Sequence, residues 1–122
     1  MTEIEIQEQH SRMVAVLCKP DAQMQLELIP GDMHLIHMIL GICGEGGELL
    51  DTVKKHVIYR KALDLENLVE ELGDMEFFLE GLRKKLGITR RETLEHNLNK
   101  LAKRYEGYQY SDKAAINRAD KQ

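Results

Sequence analysis

The stretch from Leu65 to Leu86 reads LENLVEELGDMEFFLEGLRKKL and carries the clearest helical pattern of the chain. Because an α-helix turns once in about 3.6 residues, apolar residues that recur every three or four positions line one face of it. The residues on this spacing are Leu68, Leu72, Met75, Leu79, Leu82 and Leu86. Asp64 is a suitable N-cap and Gly87 a suitable C-terminal stop, so the pattern predicts a helix buried along one stripe.

Three further helices are predicted before and after this one. The first covers Glu3 to Leu17 and ends ahead of Pro20, since proline disfavours helix in the preceding residues. The second begins at Asp32 as N-cap, after the turn sequence Ile29-Pro30-Gly31, and runs to about Arg60. The fourth begins at the capping box Thr89-Arg90-Arg91-Glu92 and runs to about Tyr105.

These elements predict an all-α protein with an antiparallel four-helix-bundle-like subunit, because short loops favour antiparallel neighbours. Residues 1–107 are expected to form a single all-α domain, and residues 108–122 a polar tail that is partly disordered. A chain of 122 residues buries only a modest core. Association into a homodimer or homotetramer is therefore expected.

Charge and composition narrow the functional class. The formal net charge of -4 argues against a general nucleic-acid binder. No apolar run approaches the roughly 20 residues of a membrane span, and the N-terminus lacks the order of a signal peptide. Cys18 and Cys43 lack metal-site spacing and are expected to be reduced thiols. A cytoplasmic protein is expected.

Two pairs of acidic residues hold equivalent positions on the second and third predicted helices. Glu45 and Glu48 lie roughly 60° and 120° to one side of the apolar stripe, when 100° is counted for each residue. Glu71 and Asp74 have the same two offsets on the third helix. In antiparallel helices that face each other, equal offsets of the same sense fall on the same side. The four carboxylates are therefore predicted to converge, whereas Asp51 points away.

Such a cluster requires a counter-charge. Two carboxylates about 4 Å apart repel by about 4 kcal/mol at an effective dielectric constant near 20. A hard divalent cation relieves this repulsion, and carboxylate oxygens are ligands that suit Mg²⁺, with Mn²⁺ as a substitute. The acids therefore predict a magnesium site between the second and third helices.

The fourth helix contributes basic and amide groups on a comparable side of its own stripe. Asn97, Lys100 and Arg104 lie roughly 60°, 120° and 80° from Leu94. Lysine and arginine beside a carboxylate-bound cation form a clamp suited to phosphate groups. The predicted ligand is therefore a phosphorylated small molecule.

The chain contains three motifs in a defined order: Glu45-x-x-Glu48, Glu71-x-x-Asp74 and Asn97-x-x-Lys100-x-x-x-Arg104-Tyr105. They lie in the segments GEGGELLDTVKK, LVEELGDMEFFLEGL and NLNKLAKRYEGY. From about Leu35 to Tyr108 the chain resembles the MazG-like nucleoside triphosphate pyrophosphohydrolases of the all-α NTP pyrophosphatase superfamily. The resemblance implies Mg²⁺-dependent cleavage between the α and β phosphates, which releases a nucleoside monophosphate and pyrophosphate.

The same resemblance implies roles for individual residues. The metal ligands would be the four acids, Glu45, Glu48, Glu71 and Asp74, with Glu48 also the candidate general base. Lys100 and Arg104 would neutralise the triphosphate, and Asn97 would bond a phosphate or sugar oxygen. Lys55 is a further candidate for phosphate binding. Phe78 either stacks on the nucleotide base or fills the core.

Glycines surround the first acidic motif in GICGEGGELLD, Gly41 to Asp51. Each interior glycine costs a helix about 1 kcal/mol relative to alanine, so their presence calls for a reason. Gly44 and Gly47 flank Glu45, and small residues let a neighbouring helix or a bound nucleotide approach the backbone. Both explanations predict that the helix gives up local stability to leave room beside the acids.

Three other functions fit parts of the pattern. Phosphoribosyl-ATP pyrophosphatase has a similar metal scaffold, so only substrates separate it from the first hypothesis. A non-catalytic helical adaptor or regulator would use the acids as surface and the apolar stripes as an oligomer seam. A di-iron carboxylate bundle needs paired Glu-x-x-His motifs, and the chain has only Glu92-x-x-x-His96, at a different spacing.

Overall fold

A computed structural model describes all residues from 1 to 122, and all of its regular secondary structure is helical, as predicted. Two single 3-10 turns, Glu106–Tyr108 and Ala119–Lys121, accompany six α-helices. The α-helices are α1 (Glu3–Leu17), α2 (Asp21–Glu27), α3 (Asp32–Val57), α4 (Leu65–Leu86), α5 (Arg90–Arg104) and α6 (Asp112–Asn117). None of them combines the length and the apolar composition that crossing a bilayer requires.

The predicted ends of α4 and α5 are confirmed, because local hydrogen bonds define them. The Asp64 carboxylate accepts a hydrogen bond of 3.0 Å from the backbone N–H of Asn67, and Gly87 ends α4 in the left-handed conformation (φ 68°). At the start of α5, the Thr89 hydroxyl accepts from the Glu92 N–H at 3.1 Å. The Glu92 carboxylate accepts from the Thr89 N–H at 2.6 Å, which completes the capping box.

Other boundaries differ from the prediction. The second predicted helix, α3, ends at Val57 rather than near Arg60, which has a left-handed backbone (φ 55°) that cannot continue a helix. Asp32 is the first helical residue rather than the N-cap, and its carboxylate accepts a hydrogen bond from the Ile29 N–H at 2.9 Å. The stretch after Pro20 forms α2, whose side-chain bonds span one turn, such as Gln25 to Asp21 at 3.1 Å.

The chain divides into two compact units, Met1–Asp32 and Met33–Gln122. The first unit contains α1 and α2, where Lys19 and Glu27 form an ion pair. In the second unit, residues 108–122, which were expected to form a polar tail, contain regular structure. They include α6 and the last 3-10 turn, both of which pack on α5.

Within the second unit, α3 and α4 form an antiparallel hairpin. The Met38 sulfur lies against the backbone of Gly81, near the start of α3 and the end of α4. At the other end, the Asn67 amide donates a 2.7 Å hydrogen bond to the hydroxyl of the buried Thr52. Residues with higher numbers on α3 thus contact residues with lower numbers on α4, so the two helices run antiparallel.

The apolar surface of the helices is mostly open to solvent. Met38 is the one buried apolar residue, at 5% exposure, and Thr52 is the one buried polar residue. The predicted stripe of α5 is uncovered, since Leu94 and Leu98 are 54% and 57% exposed. Leu72 on the stripe of α4 is 53% exposed. The single chain therefore leaves most of its predicted core uncovered.

Alanine substitutions at two glycines of α3 are expected to change stability in opposite directions. A Cβ at Gly41 would overlap the Phe78 ring, whereas a Cβ at Gly44 would meet no atom within 4 Å. Gly41→Ala is expected to lower the free energy of unfolding by about 1–2 kcal/mol, because overpacking outweighs the gain in helix propensity. Gly44→Ala is expected to raise it by up to about 1 kcal/mol. Urea unfolding at one protein concentration measures both, and a stabilised Gly41→Ala variant would contradict the close contact.

Candidate functional site

The α3–α4 hairpin brings three of the predicted acids together. Glu45 lies on α3, and Glu71 and Asp74 lie one turn apart on α4. One carboxylate oxygen from each of the three lies within 4.8 Å of the other two. Glu45 and Glu71 are half-buried, and Asp74 is exposed. The cluster formed by Glu45, Glu71 and Asp74 is called the acidic triad below.

The acidic triad is electrostatically crowded. The neighbouring Glu45 carboxyl is the largest cause that raises the pKa of Glu71, and partial desolvation and the charges of Glu45 and Asp74 raise it further. A raised pKa means that the folded protein favours the uncharged form of the group. A proton relieves this repulsion, and so would a cation. The donors are all carboxylate oxygens, which is the chemistry that Mg²⁺ and Mn²⁺ accept.

Glu48 lies outside the acidic triad, although the sequence analysis placed it in the same metal site. It is exposed, one turn beyond Glu45 toward the C-terminal end of α3, and it lines a cavity of about 300 Å³ beside the turn of the hairpin. Three residues place Glu48 about 60° further around α3 from the apolar stripe than Glu45. The other lining residues are Asp51, Thr52, Lys55, Lys61, Ala62, Asp64 and Asn67.

Two features of this cavity were missed by the sequence analysis. The Thr52 hydroxyl donates to the Glu48 carbonyl at 3.1 Å and accepts the bond from Asn67, so it links α3 to α4 at the cavity wall. Lys55, a predicted phosphate ligand, forms an ion pair of 2.7 Å with Asp51. The sequence shows a threonine on an apolar helix face, but it does not show that Asn67 donates a hydrogen bond to it.

One residue of the predicted phosphate clamp on α5, Arg104, is bound to an acid of the same chain. The Arg104 guanidinium donates two hydrogen bonds to the Asp120 carboxylate, at 2.7 and 3.1 Å. Lys100 is half-buried, and Asn97 is exposed on the same helix. No ion pair joins Lys100 or Arg104 to the acidic triad. Asp120 was not predicted, because nothing in a polar tail marks one acid as the partner of an arginine.

Phe78 packs inside the hairpin. Its ring lies over Gly41 and meets the His37 ring edge to face, with centroids 6.1 Å apart. The neighbouring Phe77 is 67% exposed and contacts Phe78 at a centroid distance of 5.2 Å. Phe78 was predicted either to stack on a nucleotide base or to fill the core, and its contacts in the hairpin match packing in the core.

Two of the three glycines around Glu45 face no other helix of the chain. A Cβ at Gly44 or Gly47 would find no atom within 4 Å, and one at Gly46 would make an ordinary contact with Met75 at 3.9 Å. The close approach between α3 and α4 occurs instead at Gly41 and Gly81. The backbone on either side of Glu45 is therefore open to a molecule from outside the chain.

Comparison of the chain with protein-family models, with curated proteins and with solved structures finds no match. Any function must therefore be inferred from the residues of this chain and their geometry.

Proposed function

We propose that this chain is a Mg²⁺-dependent nucleoside triphosphate pyrophosphohydrolase of the MazG-like type that its motifs resemble. It would cleave the bond between the α and β phosphates and release a nucleoside monophosphate and pyrophosphate. The observation that carries the proposal is the acidic triad, in which Glu45, Glu71 and Asp74 approach within 4.8 Å across an antiparallel hairpin. Carboxylates at this separation repel, and a shared divalent cation turns the repulsion into coordination.

Each residue has a specific task in this proposal. The acidic triad holds Mg²⁺, which when bound would polarise a phosphoryl oxygen and make a water molecule more acidic. Glu48, one turn from Glu45 and exposed, takes the proton of the attacking water. The open backbone beside Gly44 and Gly47 leaves room for the nucleotide next to the ligands.

The basic residues of α5 act on the phosphate groups in this proposal. Lys100 and Arg104 neutralise charge that builds on the departing pyrophosphate, and Asn97 bonds a phosphate or sugar oxygen. Lys55 lies in the cavity that Glu48 also lines, so it can reach a phosphate beside the general base. A guanidinium binds two phosphate oxygens at once, which makes Arg104 the strongest single donor of this set.

We also propose that the four-helix bundle closes only when chains associate into a homodimer or homotetramer. The single chain exposes 10312 Å², whereas a folded monomer of this mass exposes about 6,700 Å². A standard interface covers about 800 Å² on each partner, so the excess exceeds what one such contact needs. The stripe around Leu94 and Leu98 on α5 is the natural seam, since leucines at this exposure gain by burial.

A panel of nucleotides tests the catalytic proposal. Common ribo- and deoxyribonucleoside triphosphates, base-modified triphosphates and phosphoribosyl-ATP are each incubated with the protein and Mg²⁺ or Mn²⁺, and pyrophosphate is measured. We expect pyrophosphate with at least one triphosphate and none when the metal is chelated. Release from phosphoribosyl-ATP alone would assign the related pyrophosphatase activity instead.

A non-catalytic helical adaptor is the second candidate, because the uncovered apolar stripes favour a protein whose task is association. In that case the acidic triad would be surface charge. The two candidates differ in the nucleotide panel, where an adaptor releases no pyrophosphate with any substrate or metal.

A further inference from the structure

Near the C-terminus, the acid Asp120 contacts Arg104, the residue of α5 to which the proposed function gives the strongest phosphate contact. Asp120, in the 3-10 turn Ala119–Lys121, places its carboxylate on the Arg104 guanidinium in a two-point contact. The Asp120 side chain is 2% exposed and that of Arg104 is 16% exposed. Guanidinium groups bind carboxylate and phosphate through the same pair of parallel N–H donors. Asp120 therefore occupies the position that a phosphate would take on Arg104.

The surroundings of this ion pair carry more positive than negative charge. A cavity of about 360 Å³ next to Asp120 is lined by His96, Asn99, Lys100, Lys103, Asp120 and Lys121, in which Asp120 is the sole acid. A second cavity of about 470 Å³ borders Arg104, and its other charged lining residues are Lys103, Lys113 and the acid Glu106. Three lysines around a single carboxylate leave unmatched positive charge, which favours a further anion.

The segment that carries Asp120 is built as a separate short arm. Ser111 caps α6 by accepting a hydrogen bond of 3.0 Å from the Ala114 N–H, and Arg118 turns the chain with a left-handed backbone (φ 49°). The arm joins α5 through Gly107 and Tyr108, which are both left-handed (φ 62° and 56°). A left-handed backbone is unfavourable for a non-glycine residue such as Tyr108, so contacts such as that of Asp120 with Arg104 are needed to hold the arm in place.

We propose that residues 112–121 form an autoinhibitory latch, in which Asp120 and a polyphosphate ligand compete for Arg104 beside Lys100 and Lys103. Substrate binding then requires the latch to leave Arg104, so the arm controls access to the phosphate clamp. This inference rests on the phosphate-binding role given to Arg104 in the proposed function. The pKa of Asp120, which its hydrogen bonds to Arg104 lower to about 2, keeps the carboxylate charged at neutral pH, as a competitor must be.

Inorganic tripolyphosphate tests the latch without metal, so that no hydrolysis can contribute. Calorimetry measures its affinity for the wild-type protein and for Asp120→Asn, which weakens the internal competitor. If tripolyphosphate binds only the protein molecules whose arm has left Arg104, its apparent affinity is reduced by the fraction of molecules in that state. Weakening the competitor raises this fraction, and we expect about 10-fold tighter binding of tripolyphosphate to Asp120→Asn. Asp112→Asn is the matched control, because it removes the same charge from the same arm at an exposed position and keeps an amide oxygen that can accept the hydrogen bond from Tyr110. Equal or weaker binding by Asp120→Asn than by Asp112→Asn would overturn the latch.

Limited trypsin digestion of the wild-type full chain gives an independent readout. Lys113 and Arg118 are exposed cleavage sites within the arm. Tripolyphosphate is expected to speed cleavage there relative to sodium chloride at equal ionic strength, and to have little further effect on Asp120→Asn. Protection of both sites, or no change, would show that the arm stays docked and would contradict the proposal. A chain that releases its arm but hydrolyses no nucleotide would refute the proposed function and leave the latch intact.

Discussion

Replacing Glu45, Glu71 or Asp74 by its amide, one at a time, is expected to lower pyrophosphate release by on the order of 100-fold or more. Loss of an outer-shell partner of a metal already costs about 10–100-fold, and these carboxylates would be direct ligands. Steady-state assays with the best nucleotide of the panel measure the change. Glu70→Gln is the matched control, because it makes the same change on α4 at an exposed acid beside Glu71.

The same variants separate metal binding from folding. Crowding raises the pKa of Glu71 above its value in the unfolded chain, chiefly through the Glu45 carboxyl. A raised acid pKa means that folding stability falls as pH rises toward the folded pKa, so the penalty is fully present at neutral pH. Without metal, Glu71→Gln is therefore expected to melt higher than the wild type. With millimolar Mg²⁺ the order is expected to reverse, because ion binding stabilises only the intact acidic triad.

Glu48→Gln distinguishes a ligand from a general base. Glu48 lies outside the acidic triad, so the variant is expected to keep the Mg²⁺-dependent rise in melting temperature while losing turnover. Full activity of Glu48→Gln would remove it from the mechanism. A wild-type melting temperature that does not respond to Mg²⁺ or Mn²⁺ at any concentration would contradict the metal site and favour the adaptor.

Charging the open stripe of α5 is expected to break the proposed assembly. Leu98→Glu places a carboxylate where the proposed seam buries a leucine, and the dissociation constant is expected to rise about 100-fold or more. Analytical ultracentrifugation across a dilution series measures this shift, and the wild type is expected to sediment as a dimer or tetramer. The melting temperature of the wild type is also expected to rise with protein concentration, as mass action requires.

Thr93→Glu is the control for this substitution. It adds the same charge to α5 at an exposed position, about 140° around the helix from Leu98. Surface substitutions away from packed features change stability by less than about 0.5 kcal/mol, so its assembly should match the wild type. A wild-type monomer at all concentrations would refute the association, and so would a Leu98→Glu variant that assembles as well as Thr93→Glu does.

The candidate site was only partly accessible from the sequence. Counting 100° per residue placed Glu45, Glu71 and Asp74 on one side of two facing helices, and the hairpin does bring these three together. The same count also included Glu48, which is exposed and lies outside the acidic triad. The engagement of Arg104 by Asp120 had no sequence signal, since the two residues are sixteen positions apart.

What the sequence alone determined is the presence of the four longer helices and the ends of α4 and α5, whereas the short helices α2 and α6 were not predicted. Helix ends are set by capping residues that act on backbone groups a few positions away, so their effect can be predicted from the local sequence. These residues are Asp64, Gly87, Thr89 and Glu92. Which side chains meet across helices was decided by the tertiary structure. The contact of Phe78 with Gly41 and the capture of Arg104 by Asp120 depend on how whole helices pack, and packing is a property of surfaces that are distant in the chain.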